Sequence, residues 1–293
     1  MQFRQLGLIG CGLMGGSFAL ALRRAGLVER VVGFSASERS RARAKALGVI
    51  DAVADSAAQA ARGADLVLLA VPVGATQSTL QAIAPELAAD ALLMDVGSTK
   101  TDVVAAARAT LGERLPCFVP AHPITGKEVA GIEHAEARLY DNCLTILTPL
   151  ASCGDDQLGR ARALWSALGC RLRELSPEAH DDAFAAVSHL PHLLAFAYVN
   201  GVVASPRDQD YLALAGPGFR DFSRIAASDP TVWRDILLAN RAGVLAHVQS
   251  FGQALQQLQA CMEAGDGPAL QQLIERARAT RSSWTLGGID QDL

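Results

Sequence analysis

The chain has 293 residues, of which 50% are hydrophobic and 19% charged, and its formal net charge is -4. This length and composition suit a large core divided over one or two domains, and the lack of a basic surplus argues against a nucleic-acid-binding protein. The six cysteines include no CxxC pair, so we expect free thiols and a cytoplasmic protein rather than a disulfide framework.

The N-terminal stretch has the order strand, tight turn and helix. An apolar run at 3–9 leads into the pattern GxGxxG at 10–15, and a helical pattern follows to Arg24. In dinucleotide-binding proteins the first glycine permits the turn, the second admits the pyrophosphate and the third lets the helix pack on the strand. Free N–H groups at the helix N-terminus favour phosphates. The cofactor-binding residues predicted here are Gly10, Gly12, Leu13, Met14 and Gly15.

The same stretch has an alternative interpretation. Residues 6–22 carry no charge, as in a signal peptide or a membrane anchor. However, the run ends in Arg23 and Arg24 rather than at a small-residue cleavage site, and its glycines fall at the dinucleotide spacing. We therefore expect a soluble protein with no membrane partner.

Strand and helix patterns alternate over the first half of the chain. Apolar runs that predict strands occur at 30–34, 65–71, 91–95 and 117–119, with helical patterns between them. Such alternation is typical of a doubly wound parallel sheet of the Rossmann type. A helix at 155–168 and a strand at 171–175 are predicted to complete a dinucleotide-binding domain, residues 1–175. Val71 and Pro72 are further predicted cofactor-binding residues.

From residue 176 onward each long segment has a helical pattern. Ser176 is a favourable N-cap with Pro177 at the first helical position, and Asp229 with Pro230 repeats this signature before a helix predicted around 233–262. We therefore predict an all-helical second domain, residues 176–293, for substrate binding and dimerisation. Because helices need a partner for their apolar faces, we expect a homodimer.

The end of the second strand bears on the choice of cofactor. NAD-binding proteins place an acidic residue there to hold the ribose 2′-OH, whereas this sequence has Ser35. Small hydroxyls with Arg39 and Arg41 nearby suit a 2′-phosphate, which favours NADP over NAD. In the alternative, these arginines lie on a solvated helix face and Glu38 reaches the ribose. The predicted contacts are Ser35, Ser37 and Arg39.

Three later segments carry polar groups where a hydride-transfer site is expected. Two of them, DVGSTK at 95–100 and AHPITGKE at 121–128, directly follow predicted strands, and doubly wound sheets bind ligands at the carboxyl ends of their strands. The third, SHLPH at 188–192, lies in the first long helix of the second domain.

Together with the glycine motif, these segments resemble the prephenate/arogenate (cyclohexadienyl) dehydrogenase family of tyrosine biosynthesis. The resemblance extends from about Leu6 to Asp235 and includes GPGFRDFSRIA at 216–226 and DPTVWRD at 229–235. Many dehydrogenases share the glycine motif. The ordered combination of HPxxGxE, SHLPH and FRDFSRIA is specific to the family.

The resemblance implies oxidative decarboxylation of prephenate or arogenate with NAD(P), giving 4-hydroxyphenylpyruvate or tyrosine. Hydride leaves the ring carbinol carbon for the nicotinamide, and loss of CO2 makes the ring aromatic. By family position, the catalytic residues are His122 as proton acceptor and Ser98, which hydrogen-bonds the histidine or the substrate hydroxyl. A neutral imidazole suits this role. A loop histidine that only caps backbone groups is the alternative for His122.

The resemblance also implies how the anionic substrate is held. Arg224 is expected to receive a carboxylate, oriented by Asp221. The alternative is that the two residues form only a helix-face pair at i, i+3 spacing. Trp233 either walls the ring pocket or fills the core. Lys127 and Glu128 are expected beside the substrate side chain, where their opposite charges leave the choice between prephenate and arogenate open.

His189 and His192 are predicted to contribute polar groups to the pocket, or else to be structural histidines, and His180 is a weaker candidate. Their spacing also suits a metal. We expect no metal, because nicotinamide chemistry needs none and no third ligand cluster accompanies them.

Two other functions remain as alternatives. A β-hydroxyacid dehydrogenase shares the glycine-rich opening and the helical second domain, but it is expected to carry a catalytic lysine on the first long helix of that domain. Residues 177–203 contain no lysine. An NADP-binding redox sensor without turnover needs the cofactor site but not His122 or Arg224.

Overall fold

Continuous apolar runs form the central sheet. The computed structural model describes residues 2–127 and 129–285, and within them six strands pair in parallel in the order β3-β2-β1-β4-β5-β6. These strands are β1 (Phe3–Ile9), β2 (Val28–Phe34), β3 (Ala52–Val53), β4 (Leu66–Leu69), β5 (Leu92–Asp95) and β6 (Phe118–Val119). Every residue of β4 and β5 is buried, as expected for strands covered on both faces. The doubly wound fold class is confirmed.

Helices cover both faces of this sheet because the strand side chains alternate between them. Leu66 and Leu68 pack into one core cluster with Phe18, whereas Val67 and Leu69 pack into another. The helices up to residue 110 are α1 (Leu13–Arg24), α2 (Glu38–Ala46), α3 (Ala57–Ala61), α4 (Thr76–Ile83) and α5 (Thr101–Thr110).

A second, smaller sheet was not predicted. It contains β7 (Ala121–Ile124), β8 (Leu144–Leu147) and β9 (Arg171–Glu174), with β7 antiparallel and β9 parallel to β8. The strand predicted at 171–175 therefore belongs to this sheet as β9, and α6 (Asp155–Ala167) lies between β8 and β9 in the chain. Pro120 separates β6 from β7. Since proline cannot donate to a strand ladder, the chain leaves one sheet there and enters the other.

The remainder of the described chain is helical, as predicted. Its helices are α7 (Pro177–Phe184), α8 (Leu190–Val203), α9 (Asp208–Ala213), α10 (Pro217–Ser223), α11 (Pro230–Ala239), α12 (Arg241–Ala264) and α13 (Gly267–Ser283). Ser176 caps α7 and Asp229 caps α11 through their side chains. The single helix predicted around 233–262 is wrong, because α11 ends at Ala239. Asn240 breaks the helix there, and its amide donates to the Asp181 carbonyl oxygen at 2.6 Å.

The chain forms two compact units, Met1–Arg241 and Ala242–Leu293. The first unit contains both sheets together with the helices α1 to α11, and the second contains α13 and nearly all of α12. The domain boundary predicted at 175/176 marks the change from strands to helices and stays a prediction.

Within the described residues, the helical run Pro177–Val203 has the length and mean hydropathy, 1.2, of a helix able to cross a membrane. This result rests on length and composition alone. The run also carries His180 and Asp181, which are buried and hydrogen-bonded within the first unit. The expected absence of a membrane partner stays a prediction.

Candidate active site

The glycine-rich turn joins β1 to α1 and depends on two close backbone approaches. Gly10 has φ +106°, and a Cβ there would lie 2.1 Å from the Ala70 carbonyl oxygen. A Cβ on Gly15 would lie 2.1 Å from the Gly10 carbonyl oxygen. Gly12, at the N-terminus of α1, has no protein atom within 4 Å of its Cβ position and no side-chain cap. The helix N-terminus therefore faces open space, which fits a pyrophosphate.

A cavity of about 430 Å³ lies beside this turn. One side of it is lined by the segments that follow three neighbouring strands: Gly12–Met14 after β1, Ala70–Val73 after β4 and Val96–Ser98 after β5. Residues from 127–131 and 228–236 line the rest. The strand order reverses between β1 and β4, and doubly wound sheets bind nucleotides at such a point. Among the predicted cofactor-binding residues, the cavity is lined by Gly12, Leu13, Met14, Val71 and Pro72.

The other predicted cofactor contacts lie at the end of β2. Ser35 follows β2, Ser37 accepts the Ser40 N–H as the N-cap of α2, and Arg39 is exposed. Arg41 is the arginine that reaches this corner. Its guanidinium donates to the Ser35 carbonyl oxygen at 2.7 Å and lies 5.5 Å from the centre of the Phe34 ring.

A second cavity, of about 530 Å³, adjoins the first. Ser98, Lys127, Ser228 and Trp233 line both cavities. The second cavity brings together several predicted site residues from separate parts of the chain, and it adds residues that were not predicted. The predicted members are His122, Ser98, Lys127, His192, Arg224 and Trp233, and the added ones include Phe184, Ser188, Ile225 and Ser228.

His122 is the first member of a hydrogen-bonded chain of side chains. Its Nδ1 lies 2.8 Å from Nε2 of His180, and Nδ1 of His180 lies 2.8 Å from Oδ1 of Asp181. Because the carboxylate can only accept, His180 carries its proton on Nδ1 and accepts from His122 on Nε2. His122 then carries its own proton on Nδ1. This assignment leaves Nε2 of His122 as an unprotonated acceptor, as a general base requires.

The surroundings determine the charge states of the three hydrogen-bonded side chains His122, His180 and Asp181. Burial lowers the pKa of His122 well below its usual range, and nearby His180, Lys100 and His189 lower it further. Burial also lowers the pKa of His180, against the opposing hydrogen bond to Asp181. Burial alone would raise the pKa of Asp181, but hydrogen bonds from His180, Thr101 and Lys100 outweigh it and hold that pKa below its usual value. Both imidazoles are therefore neutral, and Asp181 is ionised, near pH 7.

Packing fixes the orientation of the two rings. The Phe184 ring stacks on His180 at 4.5 Å between centroids and lies 4.8 Å from His122. His122 itself sits on β7, paired with Ile146 of β8.

A buried ion pair joins this strand to the end of β5. The Lys100 ammonium, with no exposed surface, pairs with Asp95 and donates to the Ala121 carbonyl oxygen at 2.8 Å. Asp95 also accepts from the backbone N–H groups of Gly97 at 2.8 Å and Ala121 at 3.1 Å. The turn that carries Ser98 and the strand that carries His122 are thus held together by one ion pair.

The helix that carries the site histidines contains a π-helical turn, Ala185–His189. In a regular α-helix, side chains four residues apart drift by about 40° per step, so His180, Phe184, Ser188 and His192 would spread around the helix. The wider π turn reduces this drift. Pro191 lacks the N–H that would bond the Val187 carbonyl, and such gaps accompany helix irregularities. Phe184, Ser188 and His192 consequently line the same cavity.

Trp233 and the two SHLPH histidines form one aromatic group. The His192 ring stacks on Trp233 with centroids 3.4 Å apart, and its Nδ1 lies 3.0 Å from the Ser188 carbonyl oxygen. Trp233 thus walls both cavities rather than filling the core. His189 is buried behind it, lines neither cavity, and lies 3.1 Å from the Asn240 amide. Burial lowers the pKa of His189 to about 4, so it is neutral.

The charged residues predicted for substrate binding have different positions. Arg224 lines the second cavity, whereas Asp221 lines neither, is exposed, and pairs with Arg220. Lys127 lines both cavities and its ammonium is 2.7 Å from the Glu136 carboxylate. Glu128 lies outside the described residues.

Sequence reasoning missed two side chains that support the site, Asp181 and Lys100. It ranked His180 below the other histidines, and it named Arg41 beside Arg39 without distinguishing which of them reaches Ser35. The only signals for Asp181 and Lys100 are charged residues in otherwise apolar surroundings, one in the run at 177–203 and one after the strand at 91–95. Lys100 pairs with Asp95 five residues away, but its second acceptor, the Ala121 carbonyl, is 21 residues away. Asp181 accepts backbone N–H groups that are 80 and 81 residues away in sequence.

Comparisons with known proteins find similarity over nearly the whole chain. Family models for prephenate dehydrogenase match the chain twice, the nucleotide-binding domain over residues 18–174 and the dimerization domain over residues 176–276. The chain is 35% identical over 284 residues to a cyclohexadienyl dehydrogenase of Zymomonas mobilis, covering 95% of each chain.

Two solved structures are also similar. One is prephenate dehydrogenase from Aquifex aeolicus in complex with hydroxyphenyl propionate and NAD+, with 33% identity, a TM-score of 0.90, and coverage of 96% of this chain and 98% of that chain. The other is Synechocystis arogenate dehydrogenase, with 27% identity, a TM-score of 0.80, and coverage of 96% and 100%.

Two alanine substitutions in the glycine turn should separate protein stability from cofactor affinity. Gly15→Ala forces its Cβ against the Gly10 backbone and should lower the free energy of unfolding by about 1–3 kcal/mol. Gly12→Ala meets no protein atom, so stability should stay within about 1 kcal/mol of wild type, while the dissociation constant for NAD(P)H rises tenfold or more. Urea unfolding and fluorescence titration measure the two effects. If the Gly12→Ala variant binds NAD(P)H with wild-type affinity, the pyrophosphate does not lie against Gly12.

Proposed function

The chain belongs to the prephenate dehydrogenase family, and from that premise we propose that it oxidatively decarboxylates prephenate, arogenate or both. It is a dehydrogenase with a nucleotide-binding domain for a nicotinamide cofactor. The single observation that carries the proposal is the hydrogen-bonded chain from Asp181 through His180 to His122, because it ends in a cavity that adjoins the nucleotide cavity.

The proposed reaction begins at the ring carbon that carries the substrate hydroxyl. Nε2 of His122 accepts the hydroxyl proton, because its Nδ1–H is committed to His180. The bound nicotinamide supplies the hydride acceptor. As hydride leaves that carbon and the C–O bond becomes a carbonyl, the C–C bond to the ring carboxylate breaks and CO2 leaves. The electron pair of the broken C–C bond completes the aromatic ring, and the carbonyl oxygen takes up a proton to become the phenol hydroxyl. Ser98, which lines both cavities, is proposed to hydrogen-bond the hydroxyl.

Asp181 is proposed to stabilise the charge that His122 gains. Protonation of Nε2 makes His122 an imidazolium in a buried setting, where an isolated charge is costly. The ring remains hydrogen-bonded to His180, and His180 to the ionised Asp181, so the positive charge forms within reach of a fixed negative one.

Cationic groups support binding of an anionic substrate. Arg224 and Lys127 both line the second cavity, and a guanidinium binds a carboxylate in a bidentate way. We propose that Arg224 binds a substrate carboxylate and that Trp233 and His192 pack against the ring. Lys127 favours the keto side chain of prephenate, although its pairing with Glu136 reduces the repulsion that the ammonium of arogenate would meet. Both substrates therefore remain in the proposal.

We propose NADP as the favoured cofactor, with NAD as the alternative. The end of β2 offers Ser35 rather than a carboxylate, and the Arg41 guanidinium lies at that corner against Phe34. A guanidinium there attracts a 2′-phosphate, whereas an acidic residue would repel it. The Aquifex relative was solved with NAD+, which keeps NAD as the competing choice.

We also propose a homodimer. The second matched family model describes a dimerization domain, and large apolar side chains are exposed on the helices, among them Tyr198, Leu214 and Phe222 in the first unit and Leu255, Met262 and Ile274 in the second. Such surfaces are typical of protein–protein contacts. Sedimentation equilibrium at micromolar concentration should give twice the chain mass, and the mass of a single chain would contradict the proposal.

Removal of the base tests the mechanism. His122→Asn should lower kcat by about 10²- to 10⁴-fold and leave cofactor affinity unchanged, because His122 does not line the cofactor cavity. In the wild type, kcat/KM should fall only as the pH drops through the depressed pKa of His122, below its ordinary value near 6.5. Steady-state kinetics between pH 5 and 9 measure both effects.

His180→Asn separates positioning from structure. It removes the acceptor for His122 Nδ1–H and one of the influences that lower the pKa of His122, so kcat should fall and the acid limb should move to higher pH. The exposed His134, whose side chain lines neither cavity, provides the matched control His134→Asn, which should keep full activity.

Full turnover in His122→Asn would favour the alternative in which the histidine only caps backbone groups. No turnover in the wild type would favour the redox-sensor alternative.

A two-by-two assay tests substrate and cofactor together. Prephenate or arogenate, each with NAD or NADP, should give reduced cofactor at the nicotinamide absorbance band, with the higher kcat/KM for NADP. Ser35→Asp should reverse this preference by placing a carboxylate beside the 2′ position, whereas Arg39→Ala, on an exposed side chain, should change the ratio less than Arg41→Ala. A higher kcat/KM for NAD in the wild type would reject the NADP proposal.

A further inference from the structure

Two cysteines meet at one end of the three-stranded sheet, where β8 and β9 begin, and neither lines either cavity. Cys143 directly precedes β8 and Cys170 directly precedes β9, and the pairing of Leu144 with Arg171 makes the cysteines neighbours across the two strands. Backbone hydrogen bonds hold them on either side. The Asn142 N–H donates to the Gly169 carbonyl at 2.9 Å, and the Arg171 N–H donates to the Cys143 carbonyl at 2.8 Å.

Unusual backbone conformations bring the two turns together. Asn142 has φ +61°, the one non-glycine residue in the described chain with a positive φ, and Gly169 has φ +86°. Neighbouring strands lie about 4.8 Å apart, and the Cα atoms of a disulfide are usually about 4.4–6.8 Å apart. The backbone at this pair therefore already has the spacing that a disulfide needs.

The two sulfur atoms are 3.5 Å apart and have different surroundings. Cys143 is half-buried, and its sulfur lies 3.6 Å from the Thr145 hydroxyl. Cys170 is buried, and its thiol donates to the Tyr140 carbonyl oxygen at 3.5 Å. A small oxidant therefore reaches Cys143 more readily than Cys170.

The electrostatics point to the same nucleophile. The hydrogen bonds that Cys143 shares with Cys170 and with the Thr145 hydroxyl lower the pKa of its thiol despite its partial burial, whereas the contact with Cys143, together with burial, raises the pKa of Cys170. Burial raises the pKa of Cys11 to about 11 and raises that of Cys117 and Cys153 as well. Since the thiolate is the reactive form, Cys143 should react with electrophilic oxidants before these three cysteines.

We propose that Cys143 and Cys170 form a reversible, hydroperoxide-sensitive dithiol site, with Cys143 as the reacting thiol and Cys170 as the resolving thiol. The Cys143 thiolate attacks one peroxide oxygen, an S–O bond forms, the O–O bond breaks, and hydroxide or alkoxide leaves. The Cys170 thiol then attacks the Cys143 sulfenic acid, the S–S bond forms, the S–O bond breaks, and the leaving hydroxide takes the thiol proton as water. Two thiols lose two electrons, and one peroxide gains them.

The disulfide would link β8 to β9 and close the segment 143–170 into a loop. β8 pairs with β7, which carries His122, so the disulfide would stabilise the sheet that positions His122. Neither cysteine lines a cavity. Catalysis should therefore continue in the oxidised enzyme, and dehydrogenase turnover reports that the oxidised protein is folded.

Peptide mapping of the full chain tests the proposal. Reduced enzyme is treated with hydrogen peroxide at one to ten equivalents, blocked with N-ethylmaleimide and digested for mass spectrometry. The Cys143–Cys170 disulfide should form ahead of modification at Cys11, Cys117 or Cys153, and dithiothreitol should restore both thiols. Cys170→Ser should leave a sulfenic acid on Cys143 that dimedone traps, whereas Cys143→Ser should leave Cys170 as a thiol. Cys117→Ser is the matched control and should still form the disulfide.

Two results would overturn the proposal. One is a wild-type map in which Cys143 and Cys170 stay reduced while another cysteine is oxidised. The other is dimedone labelling of Cys170 rather than Cys143. The wild-type map decides the question even if a serine variant does not fold.

Discussion

The buried contact between Lys100 and Asp95 is the constraint on which the site depends. An unpaired charge in such a position costs several kcal/mol, so the ammonium, the carboxylate and their backbone partners Gly97 and Ala121 have one satisfactory arrangement. That arrangement holds the end of β5 against Ala121, the first residue of β7. His122 follows Ala121 directly, so the ion pair also sets how far His122 lies from the nucleotide cavity.

Asp181 attaches the helical segment to the same point. Its carboxylate accepts the backbone N–H groups of Lys100 and Thr101, both at 2.8 Å, at the start of α5, and it also holds His180. Helix N-termini favour negative charge, which keeps the carboxylate ionised. Burial lowers the pKa of His122, and nearby His180, Lys100 and His189 lower it further. His122 is therefore neutral, and the ionised Asp181 lies two hydrogen bonds away, where it would balance an imidazolium in the proposed mechanism.

The segment around residues 132–140 rests on the cofactor helix. Ile132 packs where a Cβ on Gly16 would clash at 2.3 Å, the Glu136 N–H donates to the Ser17 hydroxyl at 3.0 Å, and the Tyr140 hydroxyl donates to the Met14 carbonyl at 2.8 Å. Lys127, which lines both cavities, is paired to Glu136 of this segment. The walls of the two cavities are therefore supported by the helix whose N-terminus faces the nucleotide site.

Local patterns predict the doubly wound sheet, the nucleotide turn and the helical second half, because apolar period, glycine spacing and capping residues are signals within short segments, and the ordered motifs indicate the family. The same motifs include His122, Ser98, Arg224 and Trp233, which the fold brings to one pair of cavities. Folding in three dimensions adds the separate sheet of β7 to β9, the support of His122 by Asp181 and His180, and the contact of Arg41, rather than Arg39, with Ser35. Arg41 and Ser35 are only six residues apart, and Arg41 also lies against Phe34. The second sheet and the support of His122, by contrast, depend on partners up to 81 residues apart in sequence. A local pattern carries no information about such pairs, because burial and hydrogen bonding select them only when the chain has folded.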